Sequence, residues 1–308
     1  MTRELVVDAG GVEIAVRDHG GDGPPVVLLH GGACTAADWD AVAALLVPKH
    51  RVVAFDFRSH GRSTDTGDEW SMDDAVADTE AVIASLGLGN PLVAGHSLGG
   101  AVASVYGAAH PEAPGVVIVD GSGHALPSEW PGADPDEARA AFRKALAAQT
   151  AGEPPPEEAL DADALAKRIA NARTFATTAN FDPDVVAAGV ERAMVLGGDG
   201  LFRNNPSPRA TLAMLRAVGS VETFDVMRAA RCRVLYVRAI GEQLARADDE
   251  QELGHLMEPF RLGVARELES IAAEHPNFSH STIESGHMIP LERPAELAET
   301  LLAFFAAR

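Results

Sequence analysis

Short apolar runs alternate with helical patterns in the first part of the chain, and this alternation constrains the fold more than any other feature. Four runs contain hardly any polar residue and predict buried strands: residues 25–30, 51–55, 91–95 and 115–119. Segments with apolar residues every three or four positions separate them and predict helices: residues 39–46, 72–86 and 99–109. Strands that are apolar on both faces and alternate with helices predict a mostly parallel sheet flanked by helices.

Two shorter strand patterns precede this alternation. Residues 4–7 and 12–17 flank a turn at Ala9-Gly10-Gly11. Two such segments around a glycine-containing turn are typical of a hairpin. We therefore expect an antiparallel pair at one edge of the sheet.

The pattern changes after the fourth apolar run. From about Ser122 to Arg228 the strand-like runs disappear, and helical segments are separated by links rich in proline and glycine. Strand patterns return at residues 232–238 and 279–283, before a final helix. The predicted organisation is an α/β core in two parts with a helical cap between them, lying on the sheet as a lid: residues 1–121, 122–228 and 229–308, in that order.

Charge and composition restrict the partners. The 308 residues carry 25 Lys and Arg against 45 Asp and Glu, a formal net charge of −20. This charge repels phosphate backbones and anionic membranes, so no nucleic-acid or membrane partner is expected. Cys34 and Cys232 form no C-x-x-C pair, and no signal peptide or apolar run of about 18 residues is visible. We expect a cytoplasmic location, and the oligomeric state, a homodimer included, stays open.

A serine stands at a predicted turn from strand to helix. The pentapeptide Gly95-His96-Ser97-Leu98-Gly99 fits G-x-S-x-G, the nucleophile elbow. Small residues two positions either side let the chain turn sharply, and the hydroxyl then projects at a helix N-terminus. Free N–H groups and the helix dipole favour developing negative charge there. Ser97 is therefore the predicted nucleophile.

Two glycines follow an earlier predicted strand. The segment His30-Gly31-Gly32-Ala33 comes directly after the apolar residues PVVLL at 25–29. A glycine-rich turn at the end of a strand can direct backbone N–H groups into a site. The N–H groups of Gly32 and Leu98 would together form an oxyanion hole, which stabilises a transition state by a few kcal/mol per donor.

A histidine stands in a glycine-flanked turn between the last strand and the last helix. This is His287, in Ser285-Gly286-His287-Met288, 190 residues after Ser97. A serine hydroxyl is a poor nucleophile unless a base takes its proton, and His287 is the candidate for that role. No H-E-x-x-H pattern occurs, so no metal site is expected.

These segments resemble the α/β-hydrolase fold family, in its cap-bearing branch of serine esterases and lactonases. The matches occur in the family's order: VVLLHGG at 26–32, DFRSHGRS at 56–63, GHSLGG at 95–100, and Gly286-His287 followed by LERP at 291–294. The resemblance implies that Asp56 and Arg58 order a loop rather than take part in chemistry. It also implies that Ser97 is the nucleophile and His287 the base.

The acid that supports the histidine has two candidates. The family commonly places an aspartate after the strand that matches residues 232–238, but Gly241-Glu242-Gln243 stands there. Some members carry the acid one strand earlier, at the position of Asp120. Asp120 is preferred because the later aspartate is missing, and Glu242 stays open as the alternative. Either carboxylate would hold the imidazole tautomer and stabilise imidazolium.

The cap supplies the predicted substrate pocket. Its apolar candidates for substrate contacts are Trp130, Phe202 and Met214, although helical spacing also explains them as packing residues. We expect a hydrolase that cleaves a mostly apolar carboxylic ester or lactone through an acyl-enzyme, without cofactor or metal.

Proteins of related fold have other functions. Haloalkane dehalogenases and epoxide hydrolases resemble this chain in fold but need a carboxylate at the elbow, where this chain has Ser97. Carbon–carbon bond hydrolases of ring-cleavage products use the same serine and stay open. A hydrolase-like ligand receptor with little turnover also stays open, and the turnover rate would distinguish it from an enzyme.

Overall fold

The computed structural model describes residues 2–179, 181–241 and 253–307, and an eight-stranded sheet forms its centre. The described strands are β1 (Arg3–Asp8), β2 (Glu13–Gly20), β3 (Pro25–Leu29), β4 (Arg51–Phe55), β5 (Leu92–His96), β6 (Val116–Val119), β7 (Ala159–Leu160), β8 (Met194–Leu196), β9 (Phe202–Asn204), β10 (Val234–Ala239) and β11 (Phe278–Ile283). The described helices are α1 (Asp40–Leu46), α2 (Met72–Ser85), α3 (Leu98–Ala109), α4 (Pro135–Thr150), α5 (Ala162–Thr178), α6 (Pro183–Arg192), α7 (Pro208–Gly219), α8 (Thr223–Ala229), α9 (Gly254–Glu274), α10 (Ile289–Glu292) and α11 (Pro294–Ala306).

The order of strands in the main sheet is β1-β2-β4-β3-β5-β6-β10-β11. From β4 to β11 every neighbouring pair is parallel, whereas β1 and β2 pair with each other and β2 pairs with β4 in antiparallel fashion. The predicted parallel sheet with an antiparallel hairpin at its edge is therefore confirmed.

The central strands bury both of their faces. In β3, Val27 and Leu29 join one hydrophobic cluster, while Val26 and Leu28 join a second cluster on the other side of the sheet. Successive side chains of a strand point to opposite faces, so an unbroken apolar run supplies both layers at once. This is why these strands read as continuous apolar segments in the sequence.

Residues 122–228 stand between β6 and β10 and contain α4 to α8 together with a small sheet, β7-β9-β8. The expectation of an all-helical segment is therefore wrong. Strands β8 and β9 form a hairpin around the turn Gly197-Gly198-Asp199-Gly200, and this hairpin follows α6, which ends at Arg192. Strands of two or three residues are too short to show a period of two, and the apolar residues of β8 continue the helical spacing of α6.

Residues 122–228 are attached to the core by buried polar contacts. The Nε of Arg192, at the end of α6, donates to both carboxylate oxygens of Asp56 at 2.8 and 3.0 Å. The side-chain amide of Asn205 donates to the carbonyl oxygens of Gly61 and Ser63 at 3.1 and 2.8 Å. Both contacts reach the loop that follows β4.

Candidate active site

Ser97 joins β5 to α3 in a strained backbone conformation. Its φ and ψ are 52° and −113°, a region that residues with a side chain rarely occupy. A Cβ atom on Gly95 would overlap the carbonyl group of Gly99, and one on Gly99 would overlap that of Leu29. The two glycines of the pentapeptide are therefore required by close backbone approach, and the serine hydroxyl stands at the N-terminus of α3.

The structure brings Ser97, His287 and Asp120 together. His287 Nε2 lies 3.0 Å from Ser97 Oγ, and His287 Nδ1 lies 2.7 Å from Asp120 Oδ2. The three residues follow β5, β11 and β6, whose C-terminal ends lie at the same edge of the sheet. An ionised carboxylate only accepts hydrogen bonds, so Nδ1 carries the imidazole proton and Nε2 is free to accept from the serine hydroxyl.

The carboxylate of Asp120 is fixed from a second side. The N–H of Ala239 in β10 donates to Oδ1 at 3.1 Å, and the N–H of Asp120 itself donates to the carbonyl oxygen of Val237 at 2.7 Å. Its side chain is 13% exposed, against 42% for that of His287. The Asp120 carboxylate is therefore held against the sheet, while the imidazole of His287 reaches toward solvent.

A buried histidine orders the glycine turn after β3. His30 Nδ1 lies 2.7 Å from the carbonyl oxygen of Gly31, and the N–H of Phe57 donates to His30 Nε2 at 3.0 Å. These partners fix the neutral tautomer with the proton on Nδ1, and burial holds the pKa of His30 well below its usual value. His30 thus connects the turn that carries Gly31 and Gly32 to the backbone of Phe57.

The glycine turn lies next to Ser97 and Leu98. A Cβ on Gly31 would lie 3.3 Å from Ser97 Cβ, and one on Gly32 would lie 4.0 Å from Leu98 Cβ. Leu98 is the first residue of α3, so its N–H has no partner within the helix. The two residues named for an oxyanion hole are therefore close neighbours of the serine.

The three cap residues proposed as substrate contacts lie in different places. Met214 of α7 reaches the glycine turn, since its Cε would be 3.1 Å from a Cβ on Gly32. Trp130 packs against the rings of Phe142 and Phe260, with centroids 5.1 and 5.8 Å away. Phe202 packs in another cluster, with Leu160, Leu165 and Met194. Among the three, Met214 is the one placed beside the candidate site.

The side chains of Asp56 and Arg58 form hydrogen bonds with neighbouring segments of the core and not with Ser97. Asp56 accepts hydrogen bonds from the backbone N–H groups of Ala36 and Arg62, both at 2.8 Å. Arg58 donates two hydrogen bonds to Asp78 in α2, at 2.7 and 2.8 Å. These contacts tie the loop after β4 to its neighbours.

Three further predictions concern Glu242, a metal site and a membrane-spanning helix. Glu242, the alternative candidate for the acid, lies outside the described residues. Within residues 2–179, 181–241 and 253–307, no group of three or more His, Cys, Asp or Glu side chains could hold a metal ion. In that same part of the chain, no helix is long and apolar enough to cross a membrane.

Sequence reasoning assigned no role to His30 or His96, although both stand inside the motifs. His30 fixes the glycine turn, and the Nε2 of His96 lies 2.8 Å from the backbone oxygen of His287. A polar residue at the end of an otherwise apolar strand was the available signal. The contact of His96 with His287, which is 191 residues away, could not be predicted from the sequence.

The comparison with known families agrees with the fold and the order of the motifs. A model described as the alpha/beta hydrolase family matches residues 26–300. The chain belongs to this family.

Among curated proteins, a non-heme haloperoxidase of Rhodococcus erythropolis is 41% identical over 107 residues, which are 34% of this chain and 39% of that protein. A bifunctional esterase/perhydrolase of Acinetobacter calcoaceticus is 38% identical over 111 residues, 35% of this chain and 40% of that protein. The chain thus spans about two-fifths of the length of these curated relatives.

Solved structures match over the full chain. E-2-(acetamidomethylene)succinate hydrolase superposes with a TM-score of 0.72 and 20% identity, covering 100% of both chains. The enol-lactonase from Burkholderia xenovorans LB400 gives a TM-score of 0.63 at 16% identity, covering 99% of this chain and 100% of that chain. At these identities the likeness shows the fold alone.

Proposed function

We propose that this protein is a serine hydrolase that cleaves a carboxylic ester or lactone of a mostly apolar substrate. The single observation that carries the proposal is the hydrogen-bonded series from Asp120 Oδ2 through His287 to Ser97 Oγ, with distances of 2.7 and 3.0 Å. A serine, a base and an orienting acid in this geometry can perform nucleophilic acyl transfer.

The reaction proceeds in two halves. Ser97 Oγ attacks the ester carbonyl while His287 Nε2 takes the hydroxyl proton, and the N–H groups of Gly32 and Leu98 stabilise the oxyanion. When the tetrahedral intermediate collapses, His287 returns that proton to the leaving alkoxide and an acyl-enzyme remains. A water molecule, deprotonated by His287, then attacks the acyl group. When this second tetrahedral intermediate collapses, His287 returns the proton to Ser97 Oγ and the carboxylic acid is released. Asp120 stays ionised and stabilises the imidazolium in both halves.

An apolar substrate is supported by the surroundings of the glycine turn. The thioether of Met214 lies over Gly32, where the acyl or alkoxy group would pass, and the formal net charge of −20 disfavours strongly anionic substrates. One curated relative is named an esterase/perhydrolase, and one structural neighbour is titled an enol-lactonase. These names agree with ester or lactone chemistry.

A fluorophosphonate probe tests the nucleophile directly. We expect a single adduct on Ser97 by peptide mass spectrometry, and none on the matched variant Ser97→Ala at an unchanged melting temperature. Failure of the folded wild-type protein to react would contradict the proposal and favour the ligand-receptor reading.

A panel of substrates then tests which kind of bond the protein cleaves. It contains p-nitrophenyl esters of increasing acyl length, aliphatic lactones, and a vinylogous diketone of the ring-cleavage type. We expect esters or lactones to be hydrolysed with kcat/KM well above that of Ser97→Ala. Preferred cleavage of the diketone would replace the proposal by carbon–carbon bond hydrolysis with the same serine.

A further inference from the structure

His96 connects the parts of the candidate site. It is the last residue of β5, directly before Ser97, and its side chain is buried. Its Nε2 lies 2.8 Å from the backbone carbonyl oxygen of His287, and the two imidazole rings are 4.9 Å apart at an interplanar angle of 46°. The histidine thus touches the loop that carries the proposed base.

The partners of His96 define its tautomer. A carbonyl oxygen only accepts hydrogen bonds, so Nε2 of His96 carries the proton and donates a hydrogen bond to the backbone oxygen of His287. Burial lowers the pKa of His96 to about 3, so the ring stays neutral at physiological pH. The other ring nitrogen faces the glycine turn, since a Cβ on Gly31 would lie 3.0 Å from His96 Nδ1. The ring therefore fills the space between the turn after β3 and the loop after β11.

The other backbone hydrogen bonds of the His287 loop are local, apart from one: the N–H of Gly241, after β10, donates to the carbonyl oxygen of Ser285 at 2.9 Å. The N–H groups of Gly286 and Met288 donate to the carboxylate of Glu292 at 2.7 and 3.2 Å, and the N–H of Ile289 donates to the same oxygen of His287 at 3.0 Å. The local bonds shape the loop and the Gly241 bond attaches it to β10, but none of these bonds reaches β5, the strand that precedes Ser97. The bond from His96 attaches the loop backbone to the strand that carries the serine.

We propose that His96 is a positioning residue that sets the distance between His287 Nε2 and Ser97 Oγ by hydrogen-bonding the His287 backbone. The effect on turnover rests on the proposed function. Without the Nε2 donor, the backbone of His287 loses its direct bond to β5, and the alignment of the imidazole with Ser97 becomes less exact. Misplacement of a reacting group by about 1 Å can lower a rate by about 100-fold.

Three variants distinguish the effect of the hydrogen-bond donor of His96 from the effect of its side-chain packing. In His96→Gln the side-chain amide nitrogen replaces Nε2 and keeps the donor. In His96→Asn the amide nitrogen falls at the position of Nδ1 and cannot reach the carbonyl of His287. His96→Phe keeps a ring but has no donor. Each variant is measured for its melting temperature, for kcat and KM per folded molecule on the best ester of the panel, and for its labelling rate with the fluorophosphonate.

We expect kcat and the labelling rate of His96→Asn and His96→Phe to fall by at least about tenfold, with KM within about threefold of wild type. His96→Gln should recover both rates to within about threefold of wild type. A role in stability alone would lower the melting temperature of all three variants and leave kcat per folded molecule unchanged, and that outcome would overturn the proposal.

A spectroscopic readout keeps this inference separate from the proposed function. Long-range ¹⁵N–¹H correlation spectra, with the His287 signals assigned by comparison with His287→Gln, report which ring nitrogen is protonated. We expect the Nδ1-protonated pattern of His287 in wild type and His96→Gln, and mixed tautomers in His96→Asn and His96→Phe. An unchanged His287 pattern in all three variants contradicts the positioning role, whereas failure of wild type to react with the probe contradicts only the proposed function.

Discussion

Individual residues around the site hold unusual backbone conformations. Ala33, Ser97 and Asp120 have φ values of 57°, 52° and 46°, and each follows a parallel strand at the same edge of the sheet. Such conformations cost about 1–3 kcal/mol each unless the residue is glycine. The surrounding sheet and helices hold them in place, and the result is that the serine and the carboxylate project into one space.

Replacement of the proposed acid tests the site at this scale. Asp120→Asn keeps the size of the side chain but turns an N–H toward His287 or loses the charge that stabilises imidazolium. We expect kcat to fall by about 10³- to 10⁴-fold with little change in the melting temperature. Glu242→Gln is the matched control and should stay within about twofold of wild type. The opposite ranking of the two variants would move the acid to Glu242.

Among the elements, α6 and α7 carry residues that attach the 122–228 segment to the core. Arg192 at the end of α6 is 2% exposed and its partner Asp56 is fully buried, whereas the ion pair between Arg209 of α7 and Asp68 is 65% and 67% exposed. Both pairs join the same two parts of the chain. They differ in solvent exposure, which determines how much an ion pair matters when it is broken.

Methionine substitutions at the two arginines compare these attachments. Arg192→Met leaves the Asp56 carboxylate buried with its charge uncompensated, so we expect the free energy of unfolding to fall by about 3–5 kcal/mol. Arg209→Met removes an exposed pair and should change it by less than about 1 kcal/mol. Urea denaturation of both variants measures the difference. Equal effects would mean that the buried pair does not hold the segment to the core.

Asp38 lies where α6 meets the core, and its carboxylate makes the free energy of unfolding depend on pH. Its carboxylate faces Gly189 of α6, and burial, with further contributions from Asp56 and Asp40, raises its pKa to about 6 although Cys34 donates a hydrogen bond to it. The folded state then binds the proton more tightly than the unfolded state. This group therefore favours folding at about pH 4, and that contribution is lost as the pH rises to about 6.

Asp38→Asn removes this titration while it keeps the acceptor oxygen. We expect the variant to match wild type in unfolding free energy near pH 4 and to exceed it at pH 7 and above, by at most about 3 kcal/mol. Thermal and urea unfolding across pH 4 to 8 measures the difference. A variant that is less stable than wild type at pH 7 would contradict the assigned pKa direction.

For the whole molecule, the formal net charge of −20 is the dominant electrostatic property. Self-repulsion of a charge of this size destabilises the compact state, and salt screens it. The screening length falls from about 30 Å at 0.01 M to about 8 Å at 0.15 M salt. Stability at low salt should therefore be below its value under physiological conditions.

A salt series tests this effect by calorimetry. We expect the melting temperature to rise by a few degrees between about 0.01 and 0.15 M NaCl, with the same rise in choline chloride because screening depends on ionic strength and not on the cation. A constant or falling melting temperature would show that the attractive ion pairs outweigh the net repulsion.

The sequence alone determined the α/β architecture and the order of its motifs. Hydrophobic periodicity depends on each residue and its neighbours within about four positions, so buried strands, flanking helices and the hairpin edge could be read directly. The same local information failed for β8, whose three residues continue the apolar spacing of α6. It showed that Trp130, Phe202 and Met214 were apolar but not that Met214 reaches Gly32.

Only the tertiary structure decided which distant residues meet. The distances from His287 to Ser97 and Asp120, and from His96 to the backbone of His287, follow from the parallel pairing of β5, β6, β10 and β11. Strand register and the order of strands in a sheet depend on packing between segments that are far apart in the chain. A motif therefore names the chemical groups of a site, whereas the sheet sets the distances between them.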